Sequence, residues 1–164
     1  MDETESQIHE IGVEIFKGYG VDELTAKILS ILNFEPEDIS LEELSQKTGY
    51  SLASISLKMQ NIETFWGIKR KHKPGSRKVY FHMEKNLLDA FILQIKNGYE
   101  TELNIANEKI APLVSKYRET ATSEEKKKKL ELFENYQQQI SNFEEVIHFI
   151  YEKVDQMKEK DKTL

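Results

Sequence analysis

The sequence predicts a mostly α-helical fold with one small β-hairpin, and three observations carry that expectation. Only three prolines and seven glycines interrupt 164 residues that are rich in Lys, Glu, Leu and Ile, a composition that favours helix. Over most of the chain apolar residues recur at three- and four-residue spacing, the repeat of a helix with one buried side. The exception is 68–83, where Ile68 to Lys73 and Lys78 to Met83 flank Pro74-Gly75-Ser76-Arg77 and Val79, Phe81 and Met83 alternate with Tyr80 and His82. Such alternation about a Pro-Gly turn reads as two paired strands.

The elements follow in order. Ile8, Ile11, Ile15, Phe16 and Tyr19 form one stripe of a first helix ending near Gly18 to Gly20, which is expected to bury that face. Asp22 is a candidate N-cap for a short apolar core helix containing Leu24, Ile28, Leu29, Ile31 and Leu32, which stops before Glu35-Pro36. Ser40-Leu41-Glu42-Glu43 has the form of a capping box and opens a two-turn helix that Gly49 is placed to end. After Tyr50 and Ser51, a further helix carries Leu52, Ile55, Met59, Ile62 and Phe65 on its apolar stripe. A short capped helix, a tight turn and a second amphipathic helix make a helix-turn-helix. With the hairpin behind it, the order is that of a winged helix-turn-helix domain.

From about Lys85 onward two long helices are expected. The first runs through Leu88, Phe91, Ile92, Ile95, Tyr99, Leu103, Ala106, Ile110, Leu113 and Tyr117, with Pro112 predicting a kink or break. The second starts near Thr122 or Ser123 and carries regular heptads. Phe133, Ile140, Ile147 and Val154 fill the a positions, and Tyr136, Phe143, Ile150 and Met157 fill the d positions. So continuous a seam must lie against another long helix, and a second copy of the chain is expected to supply it. These eight are the expected dimerisation residues. Residues 1–84 form the expected DNA-binding domain, and 85–164 a helical, antiparallel or coiled-coil dimerisation region.

Charge is unevenly spread. The whole chain carries 23 Lys plus Arg against 29 Asp plus Glu, a net of −6, which argues against a polyanionic partner. Residues 51–83, however, hold seven cations and a single acid, Glu63, a local excess of six, and leave −12 for the remainder. Six of those cations lie within 69–78. Their mutual repulsion makes sense if phosphates neutralise them, and the acidic remainder would then repel DNA from every other face.

Other chemistries lack support. The chain has no cysteine, which excludes disulfides, thiolate nucleophiles and thiolate metal sites and fits a cytoplasmic protein. The first ten residues are acidic and polar, and no run approaches the ~18 apolar residues of a membrane span. His9, His72, His82 and His148 show no ligand spacing, so no metal is expected, and the phosphate-loop and nucleophile-elbow patterns are missing. An enzyme is not expected, nor a cofactor.

The residues expected to meet double-stranded DNA are Ser51, Ala53, Ser54, Ser56, Lys58, Gln60 and Asn61 on the second helix of the motif. On the hairpin they are Lys69, Arg70, Lys71, Lys73, Gly75, Ser76, Arg77 and Lys78. Small polar side chains suit base edges in a major groove about 12 Å wide, and cations suit the backbone.

The run Ser-Leu-Ala-Ser-Ile-Ser-Leu-Lys-Met-Gln from Ser51, with Gly75-Ser76-Arg77-Lys78-Val79-Tyr80 in the hairpin, resembles the recognition helix and wing of MarR-type winged-helix regulators, in particular the GbsR-like branch. The resemblance implies a homodimeric transcriptional regulator that binds a pseudo-palindromic site and has long dimer-forming helices after the wing. Two features depart from the pattern. Phe65-Trp66-Gly67 stands where the family usually has Leu-Gly before an apolar residue, so the start of the wing is expected to shift by one residue, and Leu52 replaces a frequent Lys. The branch is associated with osmolyte-related control and choline-like effectors. A small-molecule effector of that kind would need an aromatic cage, for which Phe16, Tyr19, Trp66 and Tyr99 are candidates by type. The rival expectation is a protein-interaction adaptor built from the same winged domain and coiled-coil helices, reading no duplex.

Overall fold

In the computed structural model the chain forms a winged-helix unit, Met1–Gln94, and a helical unit, Ile95–Leu164. The structure describes residues 3–161. The elements of the first unit are α1 (Glu3–Lys17), α2 (Glu23–Phe34), β1 (Ile39–Ser40), α3 (Leu41–Thr48), α4 (Leu52–Trp66), β2 (Lys69–His72) and β3 (Val79–His82), followed by α5 (Leu87–Ile95).

Local chemistry sets the boundaries. Asp22 accepts from the Thr25 amide at 3.2 Å and starts α2. Ser40 Oγ accepts from the Glu43 amide, and the Ser40 amide donates back to Glu43 Oε2 at 2.7 Å, completing the capping box of α3. Gly49 ends α3 at φ 75°, a left-handed conformation that glycine adopts without a Cβ clash. Ser51 caps α4 by accepting from the Ser54 amide.

Packing follows. α2 is buried almost all round, and Ile28, Leu29 and Leu32 meet Leu44 of α3, Ile55 and Met59 of α4 and Phe81 of β3 in one core. Trp66, not Phe65, closes the apolar row of α4. The row 55, 59, 62, 66 faces inward, while Leu52 and Phe65 at the ends of the expected stripe are exposed.

Two features differ from the sequence reading. The wing sheet has three strands in the order β1-β3-β2, because Ile39 and Ser40 pair antiparallel with Phe81 and Tyr80. A two-residue strand is too short to show alternation. The expected buried stripe of α1 is largely exposed at Ile8, Ile11 and Ile15, as is Tyr19 beyond the helix end, and only Phe16 of the five is buried. The cause is Gly12. A Cβ there would stand 2.4 Å from Ser30 Oγ and 2.6 Å from Phe34, so α1 lies close on α2 through its Gly12 and Phe16 side. Ser30 Oγ there donates to the His9 carbonyl at 2.8 Å.

In the second unit a π-helical turn (Lys96–Glu100), α6 (Thr101–Ile105), a second π-helical turn (Ala106–Ile110) and α7 (Ala111–Thr120) precede α8 (Glu124–Asp161). Pro112 does not break the helix. It sits in the first turn of α7, where a missing amide is tolerated, and a wider turn precedes it. α8 runs antiparallel to this stretch. Tyr117 meets Phe133, Arg118 pairs with Glu134 at 2.7 Å, and Tyr151 donates to Glu100 Oε1 at 2.6 Å. Burial, and then that carboxylate, push the Tyr151 phenol well above its usual range. Ile140 and Ile147 of the heptad seam pack on Ile95, Leu103 and Ala106 of the same chain. With Ile150 packed against the same cluster, three of the eight seam residues expected to face a second copy are thus engaged in it within the chain.

Candidate nucleic-acid interface

α4 presents one exposed face. Ser51, Ala53, Gln60 and Asn61 are exposed, and Ser54, Ser56 and Lys58 are half-buried. Ser51 and Ser54 are engaged with each other, their hydroxyl oxygens 2.9 Å apart at the helix start. Lys58 Nζ reaches Asp22 Oδ2 at 2.7 Å. That contact, offset by some desolvation and supported by Thr25, holds the Asp22 carboxyl at about 2.

Leu57 is a residue that pattern reading passes over. It is 62% exposed in the middle of the same face as Ala53, Gln60 and Asn61. A leucine in an amphipathic helix reads as core, and only the placement of its neighbours reveals otherwise.

The wing turn is held by Gly75 at φ 78°, with the Ser76 amide donating to the Lys73 carbonyl and the Lys78 amide to Ser76 Oγ. All four residues of β2 are exposed. Most wing cations nevertheless have internal partners. Arg70 Nε and Nη2 donate to Glu63 at 2.7 and 3.0 Å. Lys71 lies 3.1 Å from Asp38, which also meets His82 Nδ1 at 2.7 Å. Lys78 lies 3.9 Å from Glu42, and the Lys73 ammonium sits 4.3 Å from the centroid of the Tyr80 ring. Among the described residues the wing cations Lys69, Lys73 and Arg77 have no ion-pair partner, Lys73 resting on the Tyr80 ring instead.

These contacts revise the charge count. Asp22, Asp38 and Glu42 lie outside 51–83 in sequence, yet the fold brings them onto its cations, so the local excess of six falls to three. Three of the six wing cations, Arg70, Lys71 and Lys78, thus have a carboxylate partner inside the protein, which relieves part of the repulsion expected among them.

Of the four candidate effector residues, three come together. Phe16 and Tyr19 pack edge-to-face on Trp66 with ring centroids 5.4 and 5.3 Å away, in the wall of a pocket of about 520 Å³ that Phe34, Leu88 and Phe91 also line. No ionisable acid or base lines that pocket except the Tyr19 phenol, and each edge-to-face pair covers one ring face. The arrangement suits an apolar ligand better than a quaternary cation. Tyr99 lies in the second unit, against Phe143 at 5.4 Å.

The expected dimerisation residues divide by position. Ile140 and Ile147 are buried within the helical unit, Val154 is buried and Ile150 is half-buried, while Phe133, Tyr136, Phe143 and Met157 are exposed, with Val146 and Phe149 beside them. No helix among the described residues is long and apolar enough to cross a membrane.

No family model and no curated protein matches the sequence. Solved structures do. One, described as the crystal structure of a transcriptional regulator, superposes with a TM-score of 0.64 at 19% identity over 93% of this chain and 99% of that one. Weaker matches are the transcriptional regulator Tm0710 of Thermotoga maritima (TM-score 0.41, 15% identity, 87% and 92% of the two chains) and MepR, a transcription regulator of the Staphylococcus aureus multidrug efflux pump MepA (0.38, 13%, 85% and 93%). The first of these shows that the chain shares its fold with a transcriptional regulator.

Proposed function

We propose that this chain is a sequence-specific DNA-binding transcriptional regulator of the MarR type, GbsR-like in its wing, acting as a cytoplasmic homodimer. α4 enters the major groove and the β2–β3 wing lies on the backbone or adjacent minor groove. The observation that carries the reading is the joint exposure of the α4 face and of the unpaired Lys69 and Arg77 on one winged-helix unit. The shared fold supports it.

The dimer follows from two requirements. A palindromic site needs two reading helices about 34 Å apart. The row of exposed apolar residues on α8, including Phe143, Val146 and Phe149, is a surface that monomeric proteins rarely leave open.

An apolar effector would enter the pocket beside Trp66. Because Trp66 ends α4 and the wing begins at Lys69, an occupant that displaces the indole biases the reading helix and wing together.

The test is a salt titration of duplex binding. Arg77→Ala is expected to weaken binding and flatten the slope of log affinity against log salt by about 0.9 for the one phosphate it neutralises. Unchanged affinity and slope would remove the wing from the mechanism. If the wild-type chain neither binds heparin nor retains random duplex at low salt, the adaptor reading replaces this one.

A further inference from the structure

We infer that Glu63 and Asp38 are specificity-determining residues of the proposed DNA-binding surface, acting as built-in counter-ions that keep Arg70 and Lys71 from contributing to binding of random duplex. The inference rests on the proposed function and adds to it a role for two acids, where the charge pattern alone would count only cations.

The geometry distinguishes these two carboxylates from ordinary surface partners. Glu63 takes the Arg70 guanidinium by two nitrogens, Nε at 2.7 Å and Nη2 at 3.0 Å, the two-point geometry with which a phosphate would otherwise engage it. Its side chain is only 16% exposed and Asp38 only 19%, so neither swings freely into solvent. Asp38 is further fixed by His82 Nδ1 at 2.7 Å on the central strand of the wing sheet.

Electrostatics gives the consequence. Non-specific affinity for duplex DNA comes from the cations that neutralise phosphates and release counterions. A cation that already holds a carboxylate releases no counterion when a phosphate arrives. The displaced carboxylate then also faces the polyanion, which offsets the new contact. Arg70 and Lys71 therefore add little on random sequence, whereas Arg77, which has no ion-pair partner among the described residues, adds its full share. The ratio of specific to random binding rises, because contacts made by α4 to bases are not discounted in the same way.

The experiment uses the full chain and a duplex of random sequence, titrated with salt. Glu63→Gln keeps the size of the side chain and removes its charge. It is expected to raise random-duplex affinity several-fold at low salt and to steepen the slope of log affinity against log salt by about 0.9, one added phosphate contact. Arg70→Ala alone leaves the Glu63 carboxylate without its partner and is expected to weaken random binding, whereas adding it to Glu63→Gln is expected to cancel the gain. Glu145→Gln, which removes the same charge outside the winged-helix unit, is expected to leave the salt slope at the wild-type value, and separates a freed cation from a general change in net charge. Asp38→Asn provides the same readout on Lys71 if the first variant folds poorly by circular dichroism. A wild-type chain that binds with a clear salt slope, together with Glu63→Gln and Asp38→Asn variants that keep that slope or bind more weakly, overturns this inference and leaves the proposed function standing. A wild type that binds no duplex overturns both.

Discussion

Lys58 of the candidate reading helix reaches Asp22 Oδ2 at 2.7 Å, and Asp22 is at the same time the N-cap of α2 through the Thr25 amide and hydroxyl. One carboxylate thus anchors the start of the core helix and a side chain of α4. Asp22→Ala is expected to cost about 1 kcal/mol from the lost cap alone. The pH dependence follows from its depressed pKa. The carboxyl is held at about 2 in the fold, against 3.8 ordinarily, so its contribution is present above about pH 4 and is lost as pH falls toward 2. Thermal melts between pH 2 and 6 should show a steeper acid loss in the wild type than in Asp22→Asn. Parallel curves would exclude the linkage.

Gly67 ends α4 at φ 62°, and a Cβ there would stand 1.9 Å from Leu93 Cδ2 and 2.7 Å from its Cγ. Left-handed backbone costs a non-glycine residue about 1–2 kcal/mol, and displacing Leu93 adds a packing term of about 1–3 kcal/mol. Gly67→Ala is therefore expected to destabilise the winged unit by at least about 2 kcal/mol in urea melts. Gly20→Ala, also at positive φ but with nothing within 4 Å of its Cβ, should cost only the backbone part. Equal losses at the two sites would show that Leu93 yields without cost.

What the sequence made legible was local. The capping box Ser40/Glu43, the stop at Gly49 and the alternation Val79, Phe81, Met83 each lie within a few residues, so the helix-turn-helix and wing follow from neighbours alone. What stayed hidden depends on chain segments far apart. Asp22 meets Lys58 across 36 residues and Asp38 meets Lys71 across 33, and no periodicity encodes such pairs. The same limit explains α1. Its isoleucine spacing marks an apolar stripe, but which side packs is decided by the missing side chain of Gly12 against Ser30 and Phe34. Residue type alone groups Phe16, Tyr19 and Trp66 with Tyr99, and only the fold separates them.

The position of the heptad seam changes how the dimer is tested. Ile147 is buried against the chain's own helices, so Ile147→Ala is expected to cost about 2–5 kcal/mol of stability and would confuse unfolding with dissociation. Phe149 is 67% exposed and Val146 51%. Val146→Glu with Phe149→Glu is expected to keep the helical circular dichroism and the melting temperature of the unassociated chain, while shifting sedimentation from dimer to monomer. A wild-type protein that sediments as a monomer at the concentrations at which it binds DNA would refute the dimer.

Leu57 supplies the sharpest test of which face of α4 reads DNA. It is exposed between Ala53 and Gln60, and an aliphatic side chain in a major groove recognises the thymine methyl group, a contact that separates thymine from the other bases. Leu57→Ala removes no charge and buries nothing, so stability and random-duplex affinity should stay at the wild-type level. Affinity for a selected site should fall by about 1 kcal/mol, the lower end of what one base contact contributes. Replacing each thymine of that site in turn by uracil should identify the one that no longer matters in the Leu57→Ala background. If every thymine-to-uracil change weakens the variant and the wild type equally, Leu57 does not touch a base, and the reading face of α4 must be rotated toward Ser56 and Lys58.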